Sequence, residues 1–160
     1  SDEIFRGFAN TFGGVEHRFE LVGAVHGVRY YNDSIGSSPS RTIAGLRAFP
    51  QKVILIAGGY DKHIPYDVLG PELVAHVKTL VLTGATAPKI RAAAEGAEGY
   101  DPERLPIYEV DEFEEAVKKA QSLAQPGDVV ILSPASASFD KFKNFMERGD
   151  TFKRIVRALT

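Results

Sequence analysis

The sequence contains no cysteine and no tryptophan, and only one methionine among its 160 residues. Without cysteine there can be no disulfide and no thiolate metal site, which is compatible with a reducing cytosol. A cytoplasmic location is therefore expected. An excess of charge of one sign is missing too: 19 Lys and Arg stand against 21 Asp and Glu, for a net charge of −2. The basic residues are scattered along the chain, so there is no electrostatic case for nucleic acid or for an anionic membrane as partner. No stretch approaches the roughly 18 apolar residues that a membrane-spanning helix needs, and no signal-peptide pattern opens the chain. The four histidines, His17, His26, His63 and His76, lack metal-site spacings such as HExxH, and no metal is expected here. The phosphate loop GxxxxGK[ST] and the GxSxG elbow are both absent.

What is present is an ordinary globular composition, 44% hydrophobic and 25% charged, at a length that suits one domain with a real core. Ile4, Phe5, Phe8 and Phe12 suggest a short amphipathic helix that Gly13-Gly14 breaks. Residues 1–14 thus read as a linker or the remnant of a preceding domain, and 15–160 as the domain proper. Phe19 to Asn32 reads as a β-hairpin turning at His26-Gly27. A β-then-α pattern follows. Apolar runs at Val53–Ala57, Thr79–Thr83, Ile107–Val110 and Val129–Leu132 are short enough for strands buried on both faces. Helices are expected at Ser40–Phe49, Pro88–Ala94 and Asp111–Ala124, and from about Thr151 onward. In the third, Asp111 stands as N-cap with Glu114 in the capping-box position. The expected fold is α/β: a three-layer, Rossmann-like, mostly parallel sheet flanked by helices, with the antiparallel hairpin at one edge.

The most informative segment is LSPASASFDKFKNFMERGDTF, Leu132 to Phe152. It passes from an apolar strand through a small, hydroxyl-rich loop into a helix predicted to carry Phe139, Phe142 and Phe145 and to end near Arg148-Gly149. Ligands of open α/β sheets sit at the carboxyl ends of strands. A Ser/Ala loop there offers backbone N–H groups, hydroxyls and little bulk, and a helix N-terminus favours anions. A carboxylate or phosphate ligand is the first expectation. On a helix, Ser138 and Phe145 would share a face, being seven residues apart. Phe139 and Phe142 are expected in the core, with Phe145 left open.

Three other segments gather polar residues near strand ends: Glu16-His17-Arg18, the run Asn32 to Thr42, and Gly58-Gly59-Tyr60-Asp61-Lys62. The run from Asn32 has more hydroxyls than one helix cap needs, yet it also fits a plain strand–turn–helix connection. The glycine pair with its lysine suits a carboxylate or phosphate cradle, or a surface turn with a solvated lysine. No nucleophile–base pair stands out, so the domain is expected to bind and position rather than attack.

The strings VEHRFE (15–20), YYNDS (30–34), GGYDK (58–62) and LSPASASFDKFKNFMERGDTF (132–152) together resemble the C-terminal domain of the Mur ligases. The likeness is nearest to the member that adds D-glutamate to UDP-N-acetylmuramoyl-L-alanine in peptidoglycan synthesis, and it covers about Val15 to Leu159. The resemblance implies an ATP-dependent ligase. ATP with magnesium phosphorylates the substrate's terminal carboxylate, and the D-glutamate amine then displaces phosphate. It implies that Lys62, Ser138, Phe145 and Ser37 contact D-glutamate. It places Arg18, Asp33, His17 and Asn32 toward ATP. Where the family form reads NDSKATN, this chain has Ile35 for Lys and Ser37 for Thr, so the hydroxyl survives and the charge does not. The phosphate loop, the magnesium carboxylates and the UDP-sugar domain of the family lie outside these residues. The domain is accordingly expected to be inactive alone. A folylpolyglutamate synthase-like ligase domain and a stand-alone binding module are the alternatives.

Overall fold

The computed structural model describes residues 16–139 and 141–160; the helix expected over Ile4–Phe12 and the linker expected over 1–14 lie outside the described residues. Six strands form one sheet: β1 (Glu20–Val25), β2 (Val28–Asn32), β3 (Val53–Ala57), β4 (Val77–Leu82), β5 (Ile107–Glu109) and β6 (Val129–Leu132). The described helices are α1 (Pro39–Ala48), α2 (Leu69–His76), α3 (Ala87–Glu95), α4 (Phe113–Leu123) and α5 (Phe145–Ala158). The strand order is β1-β2-β6-β3-β4-β5. Only β1 runs antiparallel, paired to β2 through the His26-Gly27 turn at the sheet edge, with a register shift between Leu21 and Gly23. The other neighbours are parallel, Asn32 lying beside Leu132 and Ile56 beside Leu132 from the other side. This is the fold class expected from the sequence.

The apolar runs sort by alternate residues onto the two faces. Tyr31, Val53, Leu55, Leu80, Leu82, Val129 and Ile131 form one core with Leu46 of α1, Leu69 and Leu73 of α2, and Ile90 of α3. Tyr30, Ile54, Ile56, Val81, Val130 and Leu132 form the other with Phe113, Ala116 and Val117 of α4 and Phe152, Ile155 and Val156 of α5. Each such side chain contributes about 2 kcal/mol when fully removed from water. Both faces are therefore covered, which is why these strands carry no polar alternation.

Several local expectations are corrected. Helix α2 forms where no helical periodicity was read, because Pro71 falls in its first turn, where a backbone N–H has no helical acceptor anyway. At α4 the N-cap is Glu112, without a side-chain cap bond, so the Asp111–Glu114 capping box is not made. The segment around Phe139 and Phe142 is turns rather than helix, and α5 begins only at Phe145, with Asn144 Oδ1 accepting from the Glu147 N–H at 2.9 Å. Ser138 and Phe145 thus do not share a helical face. Phe139 is 64% exposed instead of core, while Phe142 packs edge-to-face on Phe113.

Gly149 does not end a helix; α5 runs through it to Ala158. Its role is space. A Cβ at this position would lie 2.1 Å from Nδ1 of His17, so only glycine lets that ring rest against the helix.

Candidate functional site

Strand β6 is inserted between β2 and β3, and the helices that follow β3 and β6 pack on opposite faces. The crevice between these strand ends is the switch point at which open α/β sheets bind ligands. Three loops meet there: the one after β2, the Gly58-Gly59 turn after β3, and the Ser133–Asn144 connection after β6. Gly58 has φ +108°, and a Cβ on it would lie 1.9 Å from the Thr83 carbonyl oxygen. A side chain there would drive the β3 and β4 ends apart.

Most of the hydroxyls in these loops are already engaged. Ser133 Oγ donates to Asp33 Oδ2 at 2.7 Å and lies 2.9 Å from Thr42 Oγ1. Ser136 Oγ lies 2.9 Å from the Tyr66 hydroxyl and 2.8 Å from Thr86 Oγ1, which also accepts the Gly59 N–H at 3.0 Å. The backbone is engaged as well. Ser133 N–H donates to Ile56, Ala135 N–H to Gly36, Gly58 N–H to Pro134 and Tyr60 N–H to Ala137. The Ser/Ala loop thus engages the N–H groups of Ser133 and Ala135 and the carbonyls of Pro134 and Ala137. It is the mortar between its neighbours.

Arg148, 2% exposed, completes this junction. Its guanidinium donates to Ser34 Oγ at 2.9 Å, the Ser34 carbonyl at 2.6 Å, the Ser136 carbonyl at 2.8 Å and Ser37 Oγ at 3.3 Å. Ser34 Oγ in turn donates to the Phe145 carbonyl at 2.7 Å. One side chain of α5 thus fixes the loop after β2 against the loop after β6. Sequence reasoning missed it. The available signal was an arginine inside an otherwise apolar helical pattern, at a position read as a helix end. Thr86 and Tyr66, also missed, carry no local signal at all.

Of the four residues expected at D-glutamate, the structure gathers three loosely and leaves one apart. Ser138 lines a small cleft of about 20 Å³ with Gly58, Gly59, Thr83, Lys141 and Arg148. Its hydroxyl makes no hydrogen bond to a described residue, although the residue is only 4% exposed. Ser37 is held by Arg148, and half-buried Phe145 stands at the start of α5. Lys62 is exposed on the loop after β3 and is not among the residues lining that cleft. The rim carries two further exposed rings, Tyr60 and Phe139, edge-to-face at 5.8 Å.

On the other side of the junction, His17, Asn32 and Asp33 are buried and Arg18 is exposed. Asn32 Nδ2 lies 2.9 Å from His17 Nδ1 and donates to Glu20 at 3.0 Å, while Asn32 Oδ1 accepts the Ser34 N–H at 3.1 Å. The His17 ring packs edge-on against Phe145 at 5.9 Å, so the two expected subsites touch. Burial pushes the Asp33 carboxyl up to about 7; the Ser133 hydroxyl, the Phe19 N–H and the charges of Arg18 and Arg41 oppose the rise without cancelling it. Glu16, His17 and Asp150 bring ligand atoms within 4.8 Å of one another. That position already has its cation: Lys153 Nζ lies 2.7 Å from Glu16, 3.2 Å from Glu20 and 3.6 Å from Asp150. It therefore does not suit magnesium.

The profile of the family described as "Mur ligase, glutamate ligase domain" matches residues 17–136. The chain belongs to this family. Among relatives, the UDP-N-acetylmuramoylalanine–D-glutamate ligase of Acetivibrio thermocellus is 58% identical over 162 residues, which is 98% of this chain and 34% of that protein. The enzyme of the same name from Clostridium beijerinckii is 54% identical over 99% of the chain and 35% of its own length. The chain thus spans about a third of the length of the curated relatives it matches. Among solved structures, the fold of this glutamate ligase domain aligns with a domain assigned to a UDP-N-acetylmuramate:L-alanyl-γ-D-glutamyl-diaminopimelate ligase from Haemophilus ducreyi. The TM-score is 0.55 at 18% identity, covering 88% of this chain and 94% of that one. The folylpolyglutamate synthase of Mycobacterium tuberculosis aligns at TM-score 0.55 and 18% identity over 86% of this chain and 32% of its own. At such identities the likeness is one of fold.

Proposed function

We propose that this glutamate ligase domain is the amino-acid-binding, C-terminal part of a longer, cytoplasmic, ATP-dependent ligase that joins D-glutamate to UDP-N-acetylmuramoyl-L-alanine. The observation that carries the reading is the 58% identity to a ligase of that name across 98% of the chain. The geometry is compatible with it. Ser138 offers an uncommitted hydroxyl in a crevice at the strand ends, and Lys62 is an exposed cation on the adjoining loop. In this reading Lys62, Ser138, Ser37 and Phe145 contact D-glutamate, and Arg18 with the His17–Asn32–Asp33 group lies toward ATP. ATP makes the terminal carboxylate an acyl phosphate. The amine of D-glutamate forms the new C–N bond as the C–O bond to phosphate breaks. Magnesium and the nucleotide phosphates are held by domains outside this chain, whose own contribution is to bind, orient and exclude water.

The test compares the full-length ligase with this chain alone, each given ATP, UDP-N-acetylmuramoyl-L-alanine and D-glutamate. The full-length protein releases phosphate in step with D-glutamate, and the isolated domain releases none. Phosphate release by the full-length protein that ignores D-glutamate, or is equal with L-glutamate, overturns the assignment. In an NMR titration of the domain with D-glutamate, shifts at Lys62, Ser138 and Phe145 are expected.

A further inference from the structure

We propose that Lys141 is a cation of the amino-acid site, binding a carboxylate of the substrate beside Ser138; the inference rests on the D-glutamate reading above. A substrate carboxylate seated at the mouth of the cleft gives up part of its water, and an anion does so at acceptable cost only against a paired, hydrogen-bonded cation. The cleft that contains Ser138 has two cations in its lining, Arg148 and Lys141. The Arg148 guanidinium already donates to Ser34, Ser37 and Ser136 and holds the loops together. Lys62 does not line the cleft. That leaves Lys141 as the ammonium placed to meet a carboxylate bound at Ser138.

Its geometry supports the role. Lys141 Nζ donates to the Asp111 carbonyl at 2.6 Å and lies 3.5 Å from Glu112 Oε2. The same Asp111 carbonyl accepts from the Thr83 hydroxyl at 3.2 Å, and Thr83 is another wall of the cleft. The ammonium is thus tethered at the rim by a fixed backbone oxygen rather than trailing in water. An ammonium has three N–H donors, so two such partners leave one for a ligand. A tethered group loses less side-chain freedom on binding than a free lysine does. Lys141 also faces the neighbouring groove formed by Gly84, Ala87 and Glu109, at the ends of β4 and β5 and the start of α3. A phosphate of ATP is the other anion that could reach it, and the experiment separates the two.

The full-length ligase is assayed as wild type, Lys141→Met, Lys141→Gln, Lys141→Arg and Lys118→Met. Lys118 is a control on the outer face of α4, paired with Glu114 at 3.0 Å. Loss of a charged hydrogen bond predicts that Lys141→Met and Lys141→Gln raise the KM for D-glutamate by about ten-fold or more. Their kcat and KM for ATP stay at wild-type values, Lys141→Arg recovers most of the affinity, and Lys118→Met changes nothing. An unchanged KM for D-glutamate in a folded Lys141→Met or Lys141→Gln enzyme overturns the inference, and so does a rise confined to the KM for ATP. A wild-type enzyme whose turnover does not depend on D-glutamate removes the functional reading itself.

Discussion

The loop after β6 and the rim beside it carry similar small polar residues, yet the structure uses them in opposite ways. Ser133 and Ser136 are buried with every hydroxyl contact made inside the protein. Two residues beyond Ser136, the Ser138 hydroxyl has no described partner, and Lys141 is held at the edge of the same cleft. The difference teaches that hydroxyl-rich composition at a strand end does not by itself make a binding surface. A hydroxyl committed to a buried bond costs stability when removed, whereas an uncommitted one is available to a ligand.

The sharpest way to break this contrast is Arg148→Met. It leaves the buried Ser34 and Ser136 carbonyls without their donors, and a loss of about 3 kcal/mol of unfolding free energy is expected. Chemical denaturation of the domain checks it; a loss below about 1 kcal/mol would show that Arg148 is not the staple of the junction.

Asp33 tests the buried side by pH. Its folded pKa, about 7, lies above the ordinary 3.8, so the folded state holds the proton more tightly than the unfolded chain does. Its contribution is fully present below about pH 4 and is lost as pH rises through about 7. Asp33→Asn should therefore flatten the decline in stability between those limits, measured as Tm against pH. A parallel decline in wild type and variant would show that another group is responsible.

The smallest effects come from a matched pair. Ser133→Ala is expected to lower stability by about 1 kcal/mol, because Asp33 Oδ2 and Thr42 lose a buried partner. Ser138→Ala should change stability by less than about 0.5 kcal/mol and should instead weaken D-glutamate binding. Equal stability losses from the two serines would erase the distinction between mortar and rim.

Strand positions and the hairpin were legible because Val53–Ala57 and Val129–Leu132 are short, apolar and bounded by Gly or Pro, a pattern that parallel sheets require. Helix α5 was misjudged because Gly149 imitates a helix end, while its actual cause, contact with His17, lies 132 positions away in the chain. Of the candidate residues, Ser138 was legible as a strand-end hydroxyl, but the burial of Asn32 and Asp33 was not, since Asn-Asp-Ser reads locally as a turn.

By itself the sequence determined the fold class, the edge hairpin and the family, because hydrophobic period and local motif order are properties of the chain. Only the tertiary structure decided which polar groups remain for a ligand. Ser133, Ser136 and Arg148 are closed off by partners from α1 and from the loops after β2, β3 and β4, and Ser138 and Lys141 are left at the cleft. Hydrogen bonds across such distances are set by how the strands are ordered in the sheet, and no local stretch of residues encodes that order.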